Sequence, residues 1–516
     1  MQTPVGPFDF VREGGLILLL ALAGALLGRR LEPRLPACRV RPDLVVGGLV
    51  LSYLGLWATL SYLRHASFHS HAYDLGILAQ VMWNTVNGRP FSTTVMFEYT
   101  SNLLAHHFSP ILLLIAPLYA LWPHPETLLA VQTAALALAV IPFYRVGRRL
   151  GGPATGLALA AAYWLYPAAH YVNLFDFHEI ALAVPLLAFA LDGFLADRPR
   201  RGAAFVGLAL LTREEVAIVA AGLGLWLFLR GRRGWGLGLM AVGIGWAALT
   251  IGWLAPTLGG TGRYYYLRRY EWLGASPAEI AATILTRPDY VLGGLLTRER
   301  LDFLLRLLLP LGLLPLLGPE LLVLSLPSFG YLLLSNYREQ YELANQYSAV
   351  VIPWLVAAAG AGAARLFSRR VGRGPVLGLL LGASLGAYLA YGPGPLGGRF
   401  QPEQFVVGPH VEVGREILGL IPPGAAVSAQ ADLVPHLANR EHVYTFPNIF
   451  GADYIVVDTR GSPWPFTPAE FRRFLDRIDR NPAWRLVVAR DGYRIYRRGP
   501  TLVSGPELGP DGPADY

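Results

Sequence analysis

The chain has one cysteine, Cys38, and no lysine. A lone thiol forms no intrachain disulfide, which excludes disulfide redox chemistry and a cysteine-stapled outer domain. Charge is scarce as well: 15% of the 516 residues are charged, against roughly 25% in a soluble chain. With 53% hydrophobic residues and a mean hydropathy of +0.41, most of the chain is expected to live in lipid. The first apolar run, 14–28, lacks a basic segment before it and a small-residue cleavage site after it, so it is expected to stay as a helix.

The formal charge of +8 would point to nucleic acid in a soluble protein. Here the arginines fall in short clusters between apolar runs, the pattern of membrane orientation, and no nucleic-acid partner is expected. A membrane-spanning helix needs roughly 17–25 mostly apolar residues. By that measure spans are expected at 14–28, 44–63, 125–144, 153–170, 180–196, 215–230, 235–256, 302–317, 319–334, 348–366 and 374–392, with a short one at 202–212, about twelve in all.

Five clusters are expected to be cytoplasmic: Arg29, Arg30, Arg34, Arg39 and Arg41; Arg145, Arg148 and Arg149; Arg198, Arg200 and Arg201; Arg230, Arg232 and Arg233; and Arg365, Arg369, Arg370 and Arg373. Even numbers of crossings separate them if 109–122, a short run bounded by Pro110 and Pro123, lies on the outer surface instead of crossing. The expected layout is therefore a membrane domain over 1–392 with a large first outer loop, 64–124, and a Pro/Gly-rich linker at 393–399. An outer-face α/β domain over 400–500 and a disordered tail over 501–516 follow. In the outer domain, strands are expected at Ala426–Ser428, Val443–Phe446, Tyr454–Asp458 and Trp484–Ala489, with helices at 410–419 and 468–479.

The outer segments hold most of the polar chemistry. In the first loop, residues 73–86 have helical spacing, with Gln80 and Asn84 on one stripe and Asp74 at the start, where it would serve as an N-cap or as a functional carboxylate. His106 and His107, the segment Asp176, His178 and Glu179, and the group Arg213, Glu214 and Glu215 stand at membrane edges, where ionisable groups are costly unless paired or functional. Simple pairing of Arg213 with a neighbouring acid is the alternative. His65, His69 and His71 match no standard zinc spacing. The run Tyr264-Tyr265-Tyr266 with Arg263, Arg268, Arg269, Tyr270 and Trp272 fits an interfacial aromatic belt or a phosphate site.

The words His71-Ala-Tyr-Asp74-Leu-Gly, Trp83-Asn84, Asn87-Gly88-Arg89-Pro-Phe, His107-Phe-Ser-Pro110 and Asp176-Phe-His178-Glu179 resemble the membrane family called domain of unknown function 2079. The likeness runs from about residue 60 to 360 and touches Ser428-Ala-Gln430, Pro435-His436-Leu and Phe446-Pro447. That family resembles the GT-C glycosyltransferases, which take a sugar from a polyprenyl-phosphate carrier at the outer face of the membrane.

The resemblance implies an all-α, GT-C-like bundle in the cytoplasmic membrane. It implies Asp74 as general base or holder of a divalent cation, with Asp176, His178 and Glu179 as catalytic partners. Substrate contacts would come from His71, Tyr73, Gln80, Asn84, His107, Glu214, Arg263, Arg268 and Arg269. Two departures stand out: the extra helix 14–28 ahead of the loop, and Gln346-Tyr347 where relatives often have His-Tyr. A transporter or lipid flippase would also carry membrane-edge acids but should show inverted repeats, which are not visible. A non-catalytic envelope scaffold would leave Asp74 as a plain cap.

Overall fold

A computed structural model describes residues 6–32, 41–96, 101–260 and 262–499. Cys38, Arg34, Arg39 and the expected tail 501–516 lie outside the described residues. The protein is mainly helical, with a five-stranded sheet near its C-terminus. Among the described residues, five helices are long and apolar enough to cross a membrane: Phe10–Leu31, Pro42–Ala66, Pro125–Gly151, Arg233–Leu258 and Arg373–Tyr391. Shorter apolar helices, among them Val216–Leu229 and Ile352–Ser368, pack with them. Proline opens many helices at the first turn, where its missing N–H would have no partner anyway.

Helix α1 (Gly15–Leu31) docks on α2 (Arg373–Tyr391), so the extra N-terminal helix closes against the last long one. Glycine makes this contact possible: a methyl at Gly24 would stand 2.1 Å from the Gly378 carbonyl oxygen, and one at Gly28 would stand 2.0 Å from that of Gly374. Small residues spaced by four let two backbones approach without a hydrophobic force between them, the packing used inside lipid.

The expected spans 302–317 and 319–334 are not continuous helices. The first is a helix over Arg298–Leu308 followed by tight turns, with Gly312 at φ 61° and Leu313 at φ 55°. The second is split into Pro319–Leu322, Val323–Ser325 and Leu326–Leu333. Pro310, Pro315, Pro319 and Pro327 each remove a ladder N–H, which breaks the helix that hydropathy alone draws through them. The segment 109–122 forms a ten-residue helix, Leu112–Leu121, whose Tyr119 hydroxyl reaches the Ala79 carbonyl of the first loop at 3.3 Å and Asn439 of the C-terminal domain at 2.7 Å.

The sheet has strands β1 (Val427–Ala429), β2 (Val443–Thr445), β3 (Tyr454–Asp458), β4 (Trp484–Arg490) and β5 (Tyr493–Arg498) in the order β2-β1-β3-β5-β4. β1 pairs in parallel with β2 and β3, and β5 pairs antiparallel with β3 and β4. Successive side chains point to opposite faces. Ile455, Val457 and Tyr496 face the amphipathic helix Pro468–Asp479, which starts with a Thr467–Glu470 capping box. Val427, Val443, Val456 and Ile495 face the other way, into one apolar core with Leu75, Leu78, Met82, Val95 and Leu112 of the first loop. The C-terminal domain and the loop that carries Asp74 are thus packed as one body.

Candidate active site

Asp74 lies in the first turn before the helix Ile77–Val86, but His71 is the cap: its Nδ1 accepts from the Tyr73 amide at 3.3 Å. The plain N-cap role for Asp74 is thereby overturned. Its carboxylate turns to His178, with Oδ1 3.2 Å from Nε2, and its other oxygen is 3.9 Å from Nδ1 of His71. The side chain keeps 19% exposure, whereas the acids around it are almost wholly enclosed. Burial would raise the Asp74 carboxyl, yet the His178 hydrogen bond and the charge of His178 and His71 hold it below the usual range. His71 is pushed down to about 4 by burial, despite Asp74 beside it.

His178 is aimed from behind. Its Nδ1 meets the Phe175 carbonyl at 3.0 Å, and its amide donates to Gln132 Oε1 at 2.8 Å. Nε2 is thereby left to face Asp74. Gln132 stands inside an apolar helix and also donates to the carbonyls of Val172, Asn173 and Asp176. It thus holds the turn in which Asp176 has φ 52°.

Asp176 has both oxygens occupied: Oδ1 by Arg64 at 2.7 Å and Oδ2 by the His71 amide at 2.9 Å. Glu179 accepts from Ser109 at 2.9 Å and lies 3.6 Å from Arg213. Expected as catalytic groups, both are instead enclosed and paired, because ionised carboxylates at 4% and 2% exposure need partners.

A second polar cluster adjoins the first. The His107 Nδ1 meets Glu214 at 3.1 Å, its Nε2 meets the Tyr266 hydroxyl at 2.7 Å, and Arg213 lies against the same ring. Glu214 also accepts from the Phe108 amide at 2.8 Å and from the Tyr264 hydroxyl at 2.5 Å. Burial would raise Glu214, but the charge and hydrogen bond of His107, together with Arg213, bring it well below its ordinary value. Its neighbour Glu215 lies 3.6 Å from Arg213 Nε.

Arg269 stands over the rings of Tyr266 and Tyr337, 4.2 Å from each centroid, and has no carboxylate partner among the described residues. Arg263 and Arg268 are placed differently. Arg263 pairs with Glu271 at 2.5 Å on the surface, and Arg268 stacks on Tyr265 at 4.0 Å. The expected trio of phosphate-binding arginines is thus reduced to Arg269, backed by Arg213.

Gln80 and Asn84 are likewise corrected. Gln80 is fully buried and ties the loop to the C-terminal domain, donating to Thr94 at 2.9 Å and to the Glu441 carbonyl at 3.0 Å. Asn84 donates to the Ser92 carbonyl at 3.0 Å and accepts from Arg89 at 3.1 Å. Inward-facing side chains with their polar atoms engaged hold the loop together.

Groups missed in the sequence complete the rim. Trp464 of the C-terminal domain stands edge-on to His71 and Tyr73, with centroids 4.9 and 5.7 Å away. Its loop is fastened by Gln430, which donates to the Ser462 carbonyl at 2.8 Å. His436 stacks on His65 at 4.1 Å. Below, Arg213 Nη1, Gln346 Oε1 and Ser348 Oγ are buried without a hydrogen-bond partner among the described residues. Buried polar atoms are costly when unpaired, which marks where a polar ligand fits. Arg64 and Gln132, polar groups in apolar helices, were the available signal. Among the described residues no group of three His, Cys, Asp or Glu side chains is arranged as metal ligands.

Residues 64–495 match the family described as predicted membrane protein (DUF2079). The chain belongs to this family. The match covers both the Asp74 loop and the C-terminal sheet and leaves out α1. No curated protein matches the DUF2079 chain. Among solved structures, apo ArnT from Cupriavidus metallidurans is similar, at 12% identity over 88% of this chain and 99% of that one, with a TM-score of 0.50. ArnT bound to undecaprenyl phosphate gives 12% identity, 89% and 99% coverage, and 0.47. The apo oligosaccharyltransferase of Archaeoglobus fulgidus gives 13%, 80% and 70%, and 0.43. The DUF2079 chain is a multi-pass membrane protein with the fold of the GT-C glycosyltransferases.

Proposed function

We propose that this protein transfers a sugar from a polyprenyl-phosphate carrier to an acceptor hydroxyl at the outer face of the cytoplasmic membrane. The observation that carries the proposal is the Asp74 carboxylate, which keeps 19% exposure while Nε2 of His178 stands 3.2 Å from its Oδ1; Arg269, stacked on Tyr266 and Tyr337, has no carboxylate partner among the described residues. In the reaction, the acceptor oxygen gives its proton to the Asp74 carboxylate and bonds to the anomeric carbon. The bond from that carbon to the carrier phosphate breaks, and its electron pair leaves on the phosphate. Arg269 and the free Nη1 of Arg213 meet the charge that develops there.

His178 and His71 keep Asp74 ionised and aimed, while Asp176 and Glu179 position the loops. No step is routed through a cation. ArnT, which shares the fold, has been solved with undecaprenyl phosphate bound, and a carrier of that class suits the unpaired buried donors here. The test is to incubate the purified protein with polyprenyl-phosphate sugars and candidate acceptors, and to follow loss of the lipid-linked sugar. Consumption by the wild type and none by Asp74→Asn supports the assignment. Equal consumption by both overturns it.

A further inference from the structure

A second charged site lies at the far end of the bundle. The helix Pro125–Gly151 begins beside the C-terminal domain, where Asn439 donates to the Pro123 carbonyl. It ends about 40 Å away at 1.5 Å per residue. There Arg145, Arg148 and Arg149, from its last two turns, meet Asp192, Arg198 and Arg201 around a cavity of about 290 Å³.

Clusters of arginine at this face are expected from orientation alone, but such side chains would splay into solvent. Here they converge. Asp192 is fully buried at the end of Ala183–Leu195 and receives Arg149 Nε at 2.9 Å, while Arg145 and Arg201 stand 3.9 and 3.7 Å from its other oxygen. Arg148 and Arg198 have no acid or hydrogen-bond partner for their side chains among the described residues. The floor is rigid: a methyl at Gly193 would stand 2.7 Å from the Gly202 amide nitrogen, so the two helices bearing Asp192 and Arg201 touch backbone to backbone.

One carboxylate therefore orients three guanidinium groups in a hollow that holds five, leaving a net charge of four positive units to be met from outside. Guanidinium forks match phosphate oxygens in pairs, and low-dielectric walls strengthen the attraction. We propose that this basin binds a phosphate group: the headgroup of an anionic phospholipid in the adjoining leaflet, or a soluble phosphate. The site is separate from the Asp74 centre and does not depend on its activity.

The test uses the full-length protein in nanodiscs of phosphatidylcholine alone or mixed with phosphatidylglycerol, with retained lipid read by native mass spectrometry. A parallel melting series in phosphatidylcholine discs adds inorganic phosphate against chloride at equal ionic strength. The variant Arg148→Gln/Arg198→Gln leaves the three arginines on Asp192 in place, and Arg148→Gln alone serves if the pair does not fold. Selective retention of phosphatidylglycerol that falls on the order of tenfold in the variant identifies a lipid headgroup. A saturable rise in melting temperature with inorganic phosphate, lost in the variant and without lipid selectivity, identifies a soluble anion. Absence of both responses in the wild type, or equal responses in the variant, overturns the proposal.

Discussion

Nε2 of His178 stands 3.2 Å from Oδ1 of Asp74, although the two residues belong to different loops. The contact makes the ionisation of Asp74 a property of both loops. Asp74→Asn keeps the size of the side chain and removes the base. It should lower turnover by about 10²- to 10⁴-fold with an unchanged melting temperature, checked by lipid-linked sugar consumption beside thermal unfolding.

His178→Asn should act through Asp74. With the imidazole gone, burial is no longer outweighed, so the Asp74 carboxyl rises. The group must be ionised to work, hence the acid limb of the pH–rate profile should move to higher pH. An unmoved limb would show that His178 has no electrostatic hold on Asp74.

Arg64 and Asp176 form a buried pair at 6% and 4% exposure. Arg64→Met leaves Asp176 charged without its counter-ion. The expected loss is about 3–5 kcal/mol of stability, read as a lowered unfolding midpoint. A neutral outcome would mean that water reaches the pair.

Gly378→Val should push α1 away from α2, because the new side chain meets the Gly24 carbonyl oxygen at 2.1 Å. Overpacking costs about 1–3 kcal/mol, and contact with backbone places this change at the upper end. Protease sensitivity of α1 and the melting temperature both report it. Gly48→Val, which faces open space, is the control.

Much of this was legible in sequence because it is written in local pattern. Tyr454–Asp458 and Trp484–Arg490 are apolar and β-branched enough to be found, and the helix 468–479 has its cap and apolar stripe in view. β5 escaped, although Asp491-Gly492 before an alternating Tyr-Arg-Ile-Tyr run is a hairpin signal. The breaks near Pro310 and Pro319 escaped because hydropathy does not register a missing N–H. At the site, the ionisable residues could be named, but their partners could not: Arg64 and Asp176 are 112 positions apart. The change of composition at Phe400 reports solvent exposure and says nothing of which core a strand joins: Val427 and Ile495 share one with Leu75 and Met82.

That common core sets an order of events during biosynthesis. Leu75, Leu78, Met82 and Val95 are made well before the strands they pack on, which run from Val427 to Ile495. Until then the apolar side of the Asp74 loop has no wall to close against, and Trp464 is not there to cover His71. A nascent chain, or one cut short before the sheet, would hold all its long apolar helices with its reactive carboxylate still unplaced. The sheet is thus the back wall of the Asp74 loop, and that loop is walled in only once Ile495 has been made.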